Sequence, residues 1–296
     1  MLYLTIIATT MRRVLVTGRN GQLGMAIAML SRNSKAEYLF TTHQDLNICD
    51  KKQVEDYLLV NKIDIVINCA AYTDVEGAEV DNEVAELVNC HGVLILAQLC
   101  LKHNIQLIHI STDYVFGGDK RRRTPYSEEE LPSPINKYGF SKARGEVAAI
   151  KHNGIVIRTS WLYSPWGKNF LLTMLHLGKE RQEISVVNDQ RGAPTSSLGL
   201  ARALVAIIDN GEIDNMHNIY HYTDGSDCTW YDFACEIMAQ AGMTCRVVPC
   251  TSAERNMRAE RPAYSVLSTE RIAAIRGVEI APWQERLSEV ITLINE

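Results

Sequence analysis

From Arg13 onward, short runs of consecutive apolar residues alternate with longer stretches whose apolar residues recur three or four apart. Runs of the first kind predict buried strands, and stretches of the second predict helices with one apolar face. On this pattern residues 13–18 (RVLVTG), 37–42, 64–72, 106–112 and 154–163 are strands. Helices fall between them at 25–33, 50–61, 82–104 and 138–152, the second starting on Asp50 as its cap. Strands that are apolar throughout and separated by helices predict a parallel sheet covered on both faces. The predicted fold class is α/β, a doubly wound parallel sheet of Rossmann type.

Beyond residue 165 the rhythm loosens. Helices at 169–180, 196–211, 229–242 and 283–296, with strands at 183–189 and 218–223, predict a second, smaller α+β lobe. The expected organisation is a dinucleotide-binding domain over 11–165 and a mainly substrate-binding lobe over 166–296, with the 196–211 helix packing back on the first domain. Residues 1–10 (MLYLTIIATT) precede a second methionine, Met11, and read as a poorly ordered extension. They have neither the basic start nor the A-x-A site of a secretory leader.

Composition narrows the function classes. The 296 residues carry a formal charge of −5, which gives no pull toward nucleic acid or an anionic membrane. The one basic run, KRRR at 120–123, is balanced by SEEE at 127–130 and reads as a solvated loop. No apolar segment reads as long enough to cross a membrane. The eight cysteines (49, 69, 90, 100, 228, 235, 245 and 250) include no C-x-x-C pair, so neither a zinc site nor a redox motif is indicated. Cys69 lies in an apolar run, where a thiol acts as a small hydrophobe. A reducing cytoplasm fits this usage.

The stretch TGRNGQLG sets Gly18, Gly21 and Gly24 straight after the first strand and before a helix. Such a turn needs a residue free to take positive φ, a Cβ-free approach to a pyrophosphate, and close helix–strand packing. The helix N-terminus then offers free N–H groups and partial positive charge to phosphates. Gly18, Asn20, Gly21, Gln22 and Leu23 are therefore candidate cofactor-binding residues. The second strand ends in FTTHQD, with Thr42 and His43 where an acid would meet a ribose 2′-OH. Asp45 is near but not at the tip. Threonine and histidine tolerate a 2′-phosphate better than aspartate, so NADPH is the expected cofactor and NADH the alternative.

Tyr138 and Lys142 stand four apart on a predicted helix and share a face. An ammonium near a phenol favours the phenolate, lowering a pKa that starts near ~10. A tyrosine tuned this way can give a proton to a developing alkoxide, and the lysine can also hold the nicotinamide ribose. The fourth strand ends in IHISTDYVFGG, and ligands bind at strand C-terminal ends in open α/β sheets. Thr112 is the expected donor to a substrate carbonyl, with Ser111 its structural neighbour. The catalytic set is then Thr112, Tyr138 and Lys142, and the reaction is hydride transfer to a ketone.

The G-x-x-G-x-x-G spacing followed by Y-x-x-x-K resembles the extended short-chain dehydrogenase/reductase superfamily. More narrowly, VLVTGRNGQLG, DIVINCAAYTDVEGAE, HISTDYVFGG, PINKYGFSKARGE, RTSWLYSPWGKNFLLTML, VVNDQRGAPT and RPAYSVLST together resemble the dTDP-4-dehydrorhamnose reductase family, from Arg12 to the C-terminus. The resemblance implies NAD(P)H-dependent reduction of the 4-keto group of a dTDP-linked 6-deoxy-hexulose to dTDP-L-rhamnose, with a nucleotide sugar as the substrate. It implies that Asn47 and Ile48 meet the adenine and that Ala70, Ala71 and Tyr72 line the cofactor. On the substrate side it implies Asp113, Tyr114, Trp161, Asn169 and Arg261, with Trp161 presenting a flat face to the hexose and Arg261 meeting the diphosphate bidentately. A core tryptophan at a strand end competes for Trp161, and a surface salt bridge for Arg261. Asn89 reads as a structural amide.

One departure bears on assembly. The resemblance implies a magnesium-bridged dimer in some members, built partly from a Glu after the third glycine. Here that segment reads MAIAML and the segment after GAPT reads SSLG, both without an acid. No metal is expected, and a monomer or weak homodimer is. Two other function classes stay open. One is a non-catalytic NADP-binding regulatory subunit resembling the methionine adenosyltransferase beta subunit. The other is a related sugar-nucleotide epimerase, reductase or dehydratase, although a dehydratase would carry an acid pair in place of Ser111–Thr112.

Overall fold

The structure, a computed structural model, describes residues 11–296, so the expectation for residues 1–10 lies outside the described residues. The central sheet takes β1 (Arg13–Thr17), β2 (Glu37–Thr41), β3 (Ile65–Asn68), β4 (Gln106–Thr112), β5 (Ile155–Thr159) and a late strand, Ile219–His221. Every pairing is parallel, and the order across the sheet is β2, β1, β3, β4, β5, then Ile219–His221. The chain runs from β1 outward to β2 and then crosses to β3 on the other side of β1. That reversal opens a crevice at the C-terminal ends of β1 and β3. Strands β3 and β5 are buried at every residue, which is why they read as unbroken apolar runs.

The helices between them are α1 (Gln22–Leu30), α2 (Lys51–Val60), α3 (Val75–Val80), α4 (Asn82–Glu86), α5 (Val93–Lys102) and α6 (Lys137–Lys151). Asp50 caps α2 through Gln53 N, and Asn136 caps α6 through Gly139 N (2.8 Å). Helices α4 and α5 run on as one, Asn82–Lys102, through a π turn at Leu87–Gly92. This helix corrects the expectation that no segment is long enough to cross a membrane. Its 21 residues and mean hydropathy of 1.7 satisfy length and composition, yet Val93, Leu96, Ala97, Leu99 and Cys100 are buried in the core beside the sheet.

Two predicted strands end early in the fold, and one strand was not predicted. The 64–72 strand stops at Asn68 because the Asn89 side chain takes both backbone groups of Tyr72: Tyr72 N donates to Oδ1 (2.8 Å) and Nδ2 donates to Tyr72 O (2.9 Å). The 154–163 strand breaks after Thr159, where Trp161 adopts φ +46°, and resumes at Leu162–Tyr163. Arg246–Cys250, absent from the predicted elements, pairs in parallel with Glu183–Val187; its Pro249 and half-exposed residues hide it from an apolar pattern.

Helix Ser197–Asp209 packs on α1, and Ile219–His221 then joins the sheet beside β5. One core runs from Val14, Val16 and Ile27 through Leu204 and Ile207 to Phe233 and Trp283. In the KRRR run Lys120, Arg121 and Arg123 are exposed, as expected of a solvated loop, and only Arg122 is drawn in. Arg122 makes two 2.7 Å bonds to Glu130 and lies over the Tyr126 ring, and Tyr126 is pinned by Val266 O and Ser268 N (2.8 Å each).

Candidate active site

A cleft of about 550 Å³ opens at the C-terminal ends of β1, β3, β4 and β5. One wall is the glycine turn. Gly18 has φ +69°, and a Cβ there would lie 2.8 Å from Ala70 N and Cys69 C. A Cβ on Gly24 would lie 2.4 Å from Gly18 O. These glycines let β1, β3 and α1 close on one another. Gly21 precedes α1 with no side-chain cap, and the first turn of α1 carries no acid. Its N–H groups and partial positive charge therefore remain open to an anion. Asn20, Gly21 and Gln22 line the cleft; Gln22 is anchored by Leu162 O (3.3 Å) and Ser164 Oγ (3.0 Å). Leu23 also lines the cleft, and its side chain belongs to the core beneath.

The facing wall comes from β4 and α6. Thr112, Tyr138 and Lys142 all line the cleft and are all buried. The Thr112 hydroxyl donates to Asp113 Oδ1 (3.1 Å) and accepts from Tyr114 N (3.2 Å). Lys142 Nζ donates to Ile110 O (2.7 Å). Burial pushes its ammonium down to about 8, while nearby Glu146 opposes the shift. Burial also pushes the Tyr138 phenol well above its ordinary range; Asp113 and Tyr114 add to this, and Thr112 beside the phenol works against it. The expected drop in the tyrosine pKa is thus overridden, because desolvation of the phenolate exceeds what a lysine bonded to Ile110 offers.

Two hydroxyls of this wall stand apart. Ser111 Oγ and Thr159 Oγ1 line the cleft, buried and without a hydrogen-bond partner among the described residues. Ser111 was expected to be merely structural, and its hydroxyl is less engaged than that of Thr112. The Gly18–Gly24 cradle, the open end of α1 and these two hydroxyls fit a dinucleotide whose nicotinamide end reaches Tyr138.

The other candidates divide. Ala71 lines the cleft, whereas Ala70 packs on the core and Tyr72 packs among Ala78, Ala85 and Tyr138. Cys69, Thr73 and Val75 take the lining positions instead. Thr42, His43, Asn47 and Ile48 sit after β2, away from this cleft. Thr42 is tied to Asp45 Oδ2 through N (2.9 Å) and Oγ1 (2.7 Å), His43 is exposed, Asn47 accepts from Cys49 N (3.0 Å), and Ile48 is core. Arg19, missed in the sequence, reaches this end: its N donates to Thr41 O (3.0 Å), and its charge adds to the Thr42 hydrogen bonds that hold Asp45 below the usual carboxylate range.

Asp113 is fully buried between Thr112 and Ser265 Oγ (2.6 Å), with its carboxyl pushed by burial up to about 7. Tyr114 meets the Tyr138 ring edge-on at 5.7 Å. Trp161 lines the cleft, but one face is stacked on Trp230 at 3.6 Å, so Trp230 shares the wall; sequence spacing gave no sign of it. Asn169 does not line the cleft: its amide caps Leu172 N (3.0 Å) and bonds Ser164 O and Trp166 O. Arg261 forms a salt bridge with Glu76 (2.8 Å) and lines a neighbouring pocket with Lys120 and Arg258. Among the described residues, no three His, Cys, Asp or Glu side chains gather as a metal site.

Residues 11–295 match the family model of the RmlD substrate binding domain. A dTDP-4-dehydrorhamnose reductase of Aggregatibacter actinomycetemcomitans is 38% identical, covering 95% of this chain and 98% of its own. A dTDP-4-keto-6-deoxy-D-glucose reductase of Streptomyces niveus is 35% identical, covering 96% and 98%. The crystal structure of dTDP-4-dehydrorhamnose reductase from Bacillus anthracis in complex with NADP superposes with a TM-score of 0.89 at 35% identity, covering 96% of this chain and all of that one.

Proposed function

Since the chain belongs to the dTDP-4-dehydrorhamnose reductase family, we propose that it reduces the 4-keto group of a dTDP-linked 6-deoxy-hexulose to dTDP-L-rhamnose. It is an NADPH-dependent oxidoreductase. One observation carries the reading: the buried Tyr138–Lys142 pair and the open glycine turn line the same cleft.

NADPH, when bound, supplies the hydride. Gly18, Asn20, Gly21 and Gln22 would hold its pyrophosphate at the end of α1, and Lys142 would hold its ribose. Thr112, with Ser111 beside it, donates to the C4 oxygen of the sugar and polarises the carbonyl. Tyr138 delivers the proton to that oxygen as charge develops on it. The raised phenol pKa keeps Tyr138 protonated until then. Trp161 and Trp230 bound the sugar side. Arg261, Arg258 and Lys120 form the basic flank nearest the diphosphate. Arg19 beside Thr42 and His43 favours a 2′-phosphate.

We also propose a monomer or weak homodimer in the cytoplasm. The cysteines are free thiols, and the positions after the third glycine and after GAPT carry no acid. The deciding assay follows NADPH absorbance with dTDP-4-keto-6-deoxy-L-mannose. Stoichiometric oxidation and a dTDP-rhamnose product are expected. No oxidation of NADPH or NADH would overturn the reading.

A further inference from the structure

Behind the cleft, a buried polar relay crosses three strands to reach the lysine. Thr17 Oγ1 on β1 donates to Asn68 Oδ1 on β3 (2.7 Å). Asn68 Nδ2 lies 3.1 Å from His109 Nδ1 on β4, and His109 Nε2 lies 3.4 Å from Lys142 Nζ. Asn68 and His109 are wholly buried and Thr17 and Lys142 nearly so. Gly145, one turn along α6, lets that helix close on Asn89: a Cβ there would lie 2.1 Å from Asn89 O and in ordinary contact, 3.5 Å, with His109 Nε2.

The donors constrain one another. In the arrangement observed, Asn68 gives an N–H to Nδ1, so Nε2 carries the imidazole proton. That tautomer offers Lys142 a donor, which suits an uncharged amine. A charged Lys142 needs Nε2 as an acceptor, hence the proton on Nδ1 and the Asn68 amide turned over toward Thr17. The other groups around the pair are fixed in kind: Glu146 on α6, itself paired with Arg158 (2.7 Å), and the Cys69 thiol at the end of β3. Burial and the lysine charge keep His109 neutral, so it changes tautomer rather than charge.

We propose that Thr17, Asn68 and His109 form a two-state support for Lys142, in which the imidazole tautomer follows the lysine's charge and His109 is a positioning residue for the proton-transfer pair. This rests on reading Tyr138 and Lys142 as that pair. With Lys142 charged, Ile110 O and His109 Nε2 take two of its three protons, and the third is aimed into the cleft.

The test is the basic limb of kcat/KM for NADPH, which reports the free enzyme. Burial pushes the Lys142 ammonium down to about 8, so activity of the parent protein is expected to fall as pH rises through that value and the lysine loses its proton. His109→Leu, which presents no acceptor to Nζ, moves the limb down by about one pH unit, the size of one weak charge-assisted bond. His109→Gln, with an amide oxygen near the Nε2 position, returns it. A limb unmoved in His109→Leu overturns the proposal, whatever its thermal stability. Should that variant not fold, ¹⁵N-resolved spectra of the parent protein decide. A shift from the Nδ1–H to the Nε2–H tautomer through the limb supports the relay, and one tautomer at all pH overturns it. Full activity in Tyr138→Phe would instead sink the underlying reading, leaving the tautomer result independent.

Discussion

The two walls of the cleft are built from different materials. The glycine wall works through backbone: Gly18, Gly21, Gly24 and the end of α1 act because side chains are absent. The β4–α6 wall works through side chains that are expensive to bury, namely Lys142, Tyr138, Asp113 and Thr112, each perturbed or held by neighbours. The first wall fails when an atom is added. The second fails when one is removed. That contrast also explains where pH enters: the glycine wall has no titrating side chain, and the β4–α6 wall is full of them.

Two substitutions separate the walls. Tyr138→Phe removes the proposed proton source without touching the turn, so kcat is expected to fall by about 10²–10⁴-fold. NADPH affinity stays within a few-fold, as checked by steady-state rates and fluorescence titration. Gly24→Ala adds one methyl group against Gly18 O and displaces the turn. Overpacking of about 1–3 kcal/mol corresponds to a ~5- to 150-fold loss in NADPH affinity, read by the same titration, with kcat at saturation much less affected. An unchanged affinity would show that the turn yields easily and that the contrast is overstated.

A smaller effect tests the second wall from within. Thr112→Val leaves Tyr114 N without its acceptor and takes the donor from the sugar carbonyl, so kcat falls about 10²-fold. Ser111→Ala should cost less than ~10-fold, because its hydroxyl is bonded to nothing else. If the order is reversed, Ser111 is the carbonyl donor. Paired kcat measurements decide.

The smallest effect is on stability. Burial raises the Asp113 carboxyl to about 7, so the folded protein keeps a proton that the unfolded chain has already lost above about pH 4. Between those values the folded state binds more protons, and its stability falls as pH rises. The urea midpoint should decline across that window, and Asp113→Asn should flatten part of the decline. Asp224, also raised to about 7 by burial, contributes the same sign, so the slope will not vanish.

Much of this site was legible along the chain because its parts are local. The glycine spacing, the i, i+4 pair on α6 and the hydroxyls at the end of β4 each lie within a few residues of one another. What escaped depends on contacts between distant segments. Asn169 looked available for substrate until its amide was found capping the next helix, and Ile48 looked like an adenine contact until Gly92 let it into the core. Trp230 reaches the cleft only because it stacks on Trp161, 69 positions earlier. Arg19 meets the end of β2 through a backbone bond to Thr41.

The sequence by itself determined the alternation of strand and helix, the doubly wound sheet, the glycine turn and the Tyr138–Lys142 spacing, since periodicity, spacing and glycine placement are written in neighbouring residues. Tertiary structure alone decided which polar groups were already engaged and which charges were buried. It turned Tyr138 from an expected acidified phenol into one held protonated, and joined Lys142 to His109, Asn68 and Thr17. Desolvation and hydrogen-bond competition depend on what surrounds a group in space, and positions in a chain do not carry that information.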